Sequence, residues 1–302
     1  MSYLATLYPA AARWRLPLSR DQAILLMAAF NEIMLGVDTY LAHVLNQTIR
    51  AREWIPILFG PAAGILLLVA GLLALRQRNL AVGLATAVFL SSMVVGVLGA
   101  GFHLVRGILP AAPTGQQVTL SLLVWAPPVL APFAFAGVGL LGLSAAWRET
   151  EPDSGILNLG GQRRLRLPYS KTQAYFFMVS LGTLVAVVSS AWDHARTGFE
   201  NAWLWLPLGV GVFATIVPLG AGAIQGKLNR VELWTYVAAM LLLIFTGVLG
   251  TYFHVAANLT TEAAIVPERF LRGAPFMSPL LYANMGIIGL LLLLPAEERE
   301  RP

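Results

Sequence analysis

The sequence contains no cysteine, and charged residues make up only 12% of its 302 residues. Without cysteine the chain forms no disulfide, no thiolate metal site and no covalent CxxCH haem attachment. Soluble domains usually carry a charged fraction of roughly a quarter. Here 57% of the residues are hydrophobic and the mean hydropathy is +0.71. These values predict a protein that lies in a lipid bilayer.

Eight apolar stretches follow one another along the chain. Each has about 20 to 26 residues, which is the length that a helix needs to cross a hydrocarbon core about 30 Å thick. They lie near residues 22–46, 54–75, 80–105, 122–146, 172–195, 203–225, 231–256 and 277–296. We therefore predict an all-α polytopic membrane protein with eight transmembrane helices.

The basic residues predict the orientation of these helices. An even number of spans places both termini on one side, and 14 of the 20 arginine and lysine residues fall on that side. The six on the other side are Arg50, Arg52, Arg106, Arg196, Arg269 and Arg272. By the positive-inside rule both termini are cytoplasmic, in the inner membrane of a bacterium. No basic patch stands outside the membrane, which argues against a nucleic-acid partner.

The chain repeats itself at an offset of 151 residues. Trp54 corresponds to Trp205, and Pro128 to Pro279, with no gap between them. The repeat predicts two tandem four-helix bundles, residues 1–150 and 151–302, joined by a polar segment near 148–171. Since each unit has an even number of helices, the two bundles are expected to be parallel in the membrane.

The same offset superposes the four histidines, His43 on His194 and His103 on His254. At a rise of about 1.5 Å per residue, all four lie ~33 to 35 Å from the cytoplasmic ends of their helices. In a four-helix bundle, the first and third helices are diagonal partners, roughly 12 to 14 Å apart. That spacing suits a flat macrocycle whose iron takes one imidazole from each side.

Glycines precede two of these histidines at the same spacing, in GVLGAGFH and GVLGTYFH. Gly96 and Gly99 lie seven and four residues before His103. Gly247 and Gly250 repeat this pattern before His254. On a helix they share the histidine's face, so we predict a smooth strip that a planar ring can approach. The alternative is close helix packing, for which small residues are also used in membranes.

These observations predict two haem b groups, one per unit, with the four histidines as axial ligands and the four glycines beside them. Arg106 and Arg196 lie at the right level to pair with haem propionates. The alternatives left open are a copper or other metal site, another tetrapyrrole, and structural histidines. Glu32 lies about three turns below His43, where a proton relay, a quinone contact and a structural carboxyl are all compatible with the sequence.

The eight helices, the duplication and the His43/His103 and His194/His254 spacing are similar to haem A synthase. The resemblance implies one structural haem b and one site that receives haem O for oxidation. We favour a diheme b-type cytochrome that moves electrons near the outer face, as a subunit of a respiratory or photosynthetic complex. Its expected partners are the bilayer, other membrane or periplasmic redox subunits, and a quinol. A haem A synthase-like enzyme and a non-redox structural subunit remain the alternatives, so the sequence leaves open whether the chain is an enzyme.

Overall fold

The computed structural model describes residues 3–14, 16–44, 49–160, 163–224 and 226–296. Most of these residues are helical. The α-helices are α1 (Tyr3–Leu7), α2 (Arg20–Val44), α3 (Trp54–Leu73), α4 (Arg78–Arg106), α5 (Leu120–Trp125), α6 (Phe133–Ala146), α7 (Lys171–Ala195), α8 (Leu206–Ala223), α9 (Arg230–Asn258), α10 (Pro267–Arg272) and α11 (Leu280–Leu291). Short 3₁₀ helices lie at Pro9–Arg13, Ala51–Glu53 and Ala202–Trp205. We call residues 20–146 the first half and residues 171–291 the second half.

A small antiparallel sheet stands between the two halves, so the fold is nearly all-α, whereas the sequence predicted an all-α protein. Its strands are β1 (Arg148–Glu149), β2 (Ile156–Gly160) and β3 (Arg163–Arg166), in the order β1-β2-β3. The polar segment was expected to be a plain linker. Its strands contain too few apolar residues to have stood out from a linker by hydrophobic pattern.

The long helices begin in the same way in both halves. At the start of α2 the backbone N–H of Ser19 donates to Gln22 Oε1, and the N–H of Gln22 donates to Ser19 Oγ. At the start of α7, Ser170 and Gln173 make the same reciprocal pair. These capping boxes satisfy backbone donors that the first helical turn leaves free. They begin the apolar segments at equivalent positions, 151 residues apart.

Among the described residues, six helices are long and apolar enough to cross a membrane, which makes this a multi-pass membrane protein. They are Arg20–Val44, Ala51–Leu73, Arg78–Arg106, Lys171–Ala195, Ala202–Ala223 and Arg230–Asn258. The stretch predicted at 122–146 is interrupted after the six-residue α5, and the longest helices in this stretch and in 277–296 are α6 and α11, of 14 and 12 residues. Prolines explain the difference, because Pro132 and Pro279 directly precede these helices and have no backbone N–H to extend them backwards.

The helices of each half pack in the same pattern. In the first half, α2 and α4 each contact both α3 and α6; in the second, α7 and α9 each contact both α8 and α11. Small residues bring the helices together: an added Cβ at Gly139 would lie 2.6 Å from Phe89 O, and one at Gly286 would lie 2.5 Å from Met240 O. The backbones of α6 and α11 therefore approach α4 and α9 closely, as is usual in membrane bundles.

The outer faces of the long helices are apolar. Leu58 and Leu72 on α3, and Phe245 and Val248 on α9, are more than half exposed. A water-soluble protein rarely exposes apolar surface in this quantity. These faces suit contact with acyl chains.

Candidate paired-histidine site

The four histidines lie near the ends of the first and third long helices of each half. His43 and His194 are in the last turns of α2 and α7, and His103 is in the last turn of α4. His254 lies four residues before the end of α9. Each of the four is partly buried.

In the first half the two histidines face each other. The ring centroids of His43 and His103 are 6.1 Å apart, with 53° between the ring planes. A metal–imidazole nitrogen bond is about 2 Å and the nitrogen lies about 1.2 Å from the ring centre, so two opposed imidazoles on one metal place their centroids about 6.4 Å apart. The separation in the first half is close to that value. His43 and His103 are thus close neighbours, and that they bind one metal between them stays a prediction.

Both rings of this pair are anchored through Nδ1. The Nδ1 of His43 lies 2.8 Å from Thr39 O, and the Nδ1 of His103 lies 2.9 Å from Pro128 O. A backbone carbonyl only accepts hydrogen bonds, so Nδ1 carries the proton in both rings. The neutral ring then keeps the lone pair of Nε2, which is the form that binds a metal. Histidine ligands almost always have such a hydrogen bond on the second nitrogen.

In the second half, a backbone carbonyl holds the Nδ1 of one histidine of the pair, whereas in the first half carbonyls hold both. The Nδ1 of His254 lies 2.9 Å from Pro275 O, which matches His103. The ring of His194 instead packs edge-on against Phe199, with centroids 6.3 Å apart. Its Nδ1 is buried and has no hydrogen-bond partner among the described residues. His194 and His254 lie within electrostatic range of each other.

Prolines explain why a carbonyl is free to hold His103 and His254. In a helix the carbonyl of Pro128 would accept from the N–H of residue 132, and that of Pro275 from residue 279. Both of those residues are proline and have no N–H. Within the described part of the chain, the backbone bonds to Pro128 O and Pro275 O are turn bonds from Ala131 and Ser278, and each carbonyl keeps a lone pair for a histidine.

This comparison corrects the register of the fourth helices. Pro128 and Pro275 occupy equivalent places, 147 residues apart, and so do Pro132 and Pro279. The expected match of Pro128 to Pro279 without a gap was wrong, because the segment between the third and fourth helices is four residues shorter in the second half. The Pro-x-x-x-Pro pattern at offset 147 is the signal that could have found these segments.

The four glycines contact the neighbouring helix. An added Cβ at Gly96 would lie 2.6 Å from Ala136 N, and one at Gly99 would lie 2.8 Å from Pro132 Cβ. Gly247 and Gly250 have the same relation to Ala283 and Pro279. The space in front of the strip is filled by α6 and α11, where we expected a planar ring. The structure thus favours the packing alternative for these glycines.

The two predicted arginines already have protein partners. Arg106 Nη1 lies 3.8 Å from Glu53 Oε1, and 38% of the Arg106 side chain is exposed. Arg196 Nε donates to Val124 O at 2.7 Å, and Nη2 donates to Ala126 O at 3.0 Å. Arg196 thereby connects the end of α7 to the end of α5. Pairing with haem propionates stays a prediction for both.

Glu53 is a residue near the first pair that the sequence reasoning missed. It is 8% exposed, its Oε2 accepts the backbone N–H of Arg50 at 2.9 Å, and it lies within electrostatic range of His103. The equivalent residue in the second half is Leu204. A buried carboxylate is therefore present beside one histidine pair and replaced beside the other. An acidic residue directly before the interfacial Trp54 was the available signal.

Among the described residues there is no group of three or more His, Asp or Glu side chains that could hold a metal ion. Two surface grooves, of about 630 and 510 Å³, lie along Ala202–Val210 and beside α1, and neither is lined by a histidine. Comparisons with protein-family models, with curated proteins and with solved structures find no match to this chain.

Proposed function

We propose that this chain is a membrane-embedded diheme b-type cytochrome. In this proposal His43 and His103 hold one haem b and His194 and His254 hold a second. Eight membrane-crossing segments form two parallel four-helix bundles, and both termini lie in the cytoplasm at the inner membrane of a bacterium. Electrons would then pass between sites near the outer face.

The paired imidazoles of the first half are the observation that carries this proposal. Their centroids are 6.1 Å apart, and both Nδ1 atoms are held by carbonyls. Two side chains are too few for a metal site built from protein alone, which usually takes four ligands. A haem brings four nitrogens of its own and needs only two axial ligands. A bare copper or zinc site is correspondingly less well supported.

The short fourth helices are compatible with eight crossings. Non-helical backbone is tolerated at membrane depth where its polar groups are satisfied within the protein. The carbonyls of Pro128 and Pro275 accept hydrogen bonds from His103 and His254, and α6 and α11 follow them in the chain. The proline segment and the helix together would make each fourth crossing.

Each residue of the site has a separate task in the proposed electron transfer. When bound, haem supplies an iron that accepts and releases one electron. His43 and His103 would hold the haem iron, while Thr39 O and Pro128 O accept hydrogen bonds from their Nδ1 atoms and orient the two rings. Both histidine pairs lie at the same end of their helices, so exchange with a periplasmic or membrane redox subunit, or with a quinol, would take place at that surface.

The difference between the two pairs favours a second candidate, a haem A synthase-like enzyme. Such an enzyme keeps one haem permanently and admits a second one as substrate. The first pair is fully anchored, whereas His194 has no partner for Nδ1 among the described residues. A non-redox structural subunit is the third candidate.

The test is a reduced-minus-oxidised absorption spectrum of the purified protein, with haem type and amount measured as the pyridine haemochrome. We expect two haems b per chain. His43→Ala and His103→Ala should each remove the same haem, and His194→Ala and His254→Ala should each remove the other. One haem b plus substoichiometric haem O or A would support the enzyme instead. A colourless protein, or a spectrum unchanged by all four substitutions, would eliminate the cytochrome.

A further inference from the structure

Glu32 is completely buried in the first half, about midway along α2. Its Oε1 lies 2.5 Å from Ser92 Oγ on α4, and the same Oγ lies 2.8 Å from Phe135 O on α6. Its Oε2 is buried and has no hydrogen-bond partner among the described residues. Three helices therefore meet at one carboxyl group, away from the paired histidines.

The hydrogen-bond count places a proton on this carboxyl. Ser92 has one hydroxyl hydrogen, yet its oxygen lies within hydrogen-bond distance of two acceptors. If Glu32 were ionised, one of the two short O···O contacts would contain no hydrogen. A protonated Glu32 resolves this, because it donates to Ser92 Oγ and Ser92 in turn donates to Phe135 O.

No positive charge among the described residues is paired with Glu32. The titratable residues of the helices that contact α2 are Arg78, His103 and Arg106 in α4, Lys171, Tyr175, Asp193 and His194 in α7, Glu268, Arg269 and Arg272 in α10, and Tyr282 in α11; α3 and α6 have none. None of these forms an ion pair with Glu32 in the part of the chain that the structure describes. On α2 itself, Asp38 and Asp21 are about 9 and 16 Å away along the axis. An ionised Glu32 would thus be an uncompensated buried charge.

The second half shows that packing at this depth does not require a carboxyl. Thr183 takes the place of Glu32 there, is equally buried, and donates to Val179 O of its own helix at 2.8 Å. Leu243 takes the place of Ser92 and is also fully buried. The first half retains an ionisable group at mid-depth where the second half does without one, and such groups in membrane helices usually serve function.

We propose that Glu32, with Ser92 and Phe135 O, is a proton-binding site in the middle of the first half, loaded with one proton at neutral pH and able to exchange it with water. The ligand is a proton, bound at a carboxyl oxygen and held by the Ser92 hydroxyl. The site does not depend on the histidine pairs or on the proposed cytochrome function.

The test is infrared spectroscopy of the full chain in lipid vesicles at pH 7. A protonated carboxyl has a carbonyl stretch at higher frequency than amide I and carboxylate bands. We expect such a band to be lost in Glu32→Gln, to shift in Ser92→Ala, and to move to lower frequency in D₂O. Since Asp38 and Asp193 are also partly buried, the band is assigned by its loss in Glu32→Gln.

The control variant gives the first half the two residues that the second half has at these positions. Glu32→Thr with Ser92→Leu should fold and lack the band, and Thr183→Val should keep it. The proposal is overturned if no band depends on Glu32, because the carboxyl is then ionised. It is also overturned if the frequency of the band does not change over hours in D₂O, because the site would then be closed to water. If the band grows when sodium is removed, the proposal is overturned as well, because the site would then bind a cation. Haem content is not read in any of these measurements.

Discussion

Lys171 Nζ donates a hydrogen bond of 2.6 Å to Asp21 Oδ2, and the two side chains are 1% and 8% exposed. Arg20, on the other side of the pair, donates from Nη1 to Thr172 Oγ1 at 2.8 Å. Arg20 and Lys171 are equivalent in the repeat, and so are Asp21 and Thr172. The first residue of this two-residue set in each half therefore contacts the second residue of the set in the other half. The isologous interface of a two-fold dimer has the same reciprocity.

The helices obey the same reciprocity. Helix α6 of the first half contacts α7 of the second, and α11 of the second contacts α2 of the first. The short helices follow, with α5 on α7 and α10 on α2. The contacts between the halves are thus related by an approximate two-fold axis, and the charged cluster lies where the ends of α2 and α7 meet.

We predict that Lys171→Met destabilises the protein by about 2–3 kcal/mol, because Asp21 loses its hydrogen bond to the ammonium and keeps only Arg20 Nε, at 3.3 Å, as a charged partner. Asp21→Asn combined with Lys171→Met should lose less stability than the sum of the two single variants, since the bond between Asp21 and Lys171 can be lost only once. The measurement is thermal unfolding of the detergent-solubilised chain. If the double variant is as unstable as the sum of the singles, the two groups are not coupled.

The matched control is the ion pair of Arg272 and Glu268, which are 3.3 Å apart but 56% and 67% exposed. Surface pairs of this kind contribute about 0–1 kcal/mol. Arg272→Met should therefore change the unfolding temperature very little. An equal loss of stability in Lys171→Met and Arg272→Met would mean that burial at the α2–α7 contact does not strengthen the ion pair.

The sequence predicted the long helices well because apolar length and capping residues are local properties. It could not predict the cluster around Asp21. Arg20 and Lys171 were counted as cytoplasmic charges that set the orientation, whereas both are almost fully buried. A count of charges carries no information on which of them two helices will bury between them. The same limit hid Glu53, whose distance to His103 depends on how α3 and α4 pack.

The paired histidines were predicted from the repeat, and the glycines beside them were assigned the wrong neighbour. Spacing places Gly96 and His103 on one helix face but does not tell what covers that face. The fourth helix covers it, and its register was hidden because Pro128 and Pro279 happen to match at offset 151. A fixed offset cannot detect a loop that is four residues shorter.

We predict that Gly96→Ala costs about 1–3 kcal/mol, because its Cβ would lie 2.6 Å from the backbone nitrogen of Ala136, which cannot move aside alone. Gly247→Ala should cost a similar free energy, because its Cβ would lie 2.5 Å from the backbone nitrogen of Ala283. The readout is again thermal unfolding. Measured in a His103→Ala background, the loss should persist, since helix packing causes it.

Gly101 on the same helix is the control, because nothing lies within 4 Å of its Cβ position. Gly101→Ala should be neutral or stabilise by up to about 1 kcal/mol through helix propensity. A Gly96→Ala variant that unfolds normally but loses haem would favour the original expectation of a ring-facing strip.

We predict that Arg196→Ala loosens the end of α5 and the segment that joins it to α6, because the two carbonyls of Val124 and Ala126 lose their donor. Limited proteolysis of the variant in detergent should cut this segment faster than in the wild type. Arg196→Lys should restore little, because an ammonium does not reproduce the geometry of the guanidinium. Loss of haem without faster cleavage would instead assign Arg196 to propionate binding.

The last prediction concerns the free carbonyl that orients His103. Pro132→Ala restores an N–H four residues after Pro128, and this N–H competes with the Nδ1 of His103 for Pro128 O. If the proposed haem is bound, its affinity in the first half should fall about 10-fold, the lower end of the usual effect of losing a ligand's supporting hydrogen bond. Haem retention during dialysis against apomyoglobin measures this. Pro279→Ala should weaken the second site in the same way through His254. Pro113 lies in the loop between α4 and α5, so Pro113→Ala should weaken neither site. Unchanged retention in both variants would show that the carbonyls of Pro128 and Pro275 do not hold the ligands, and that the proline pattern serves only to start α6 and α11.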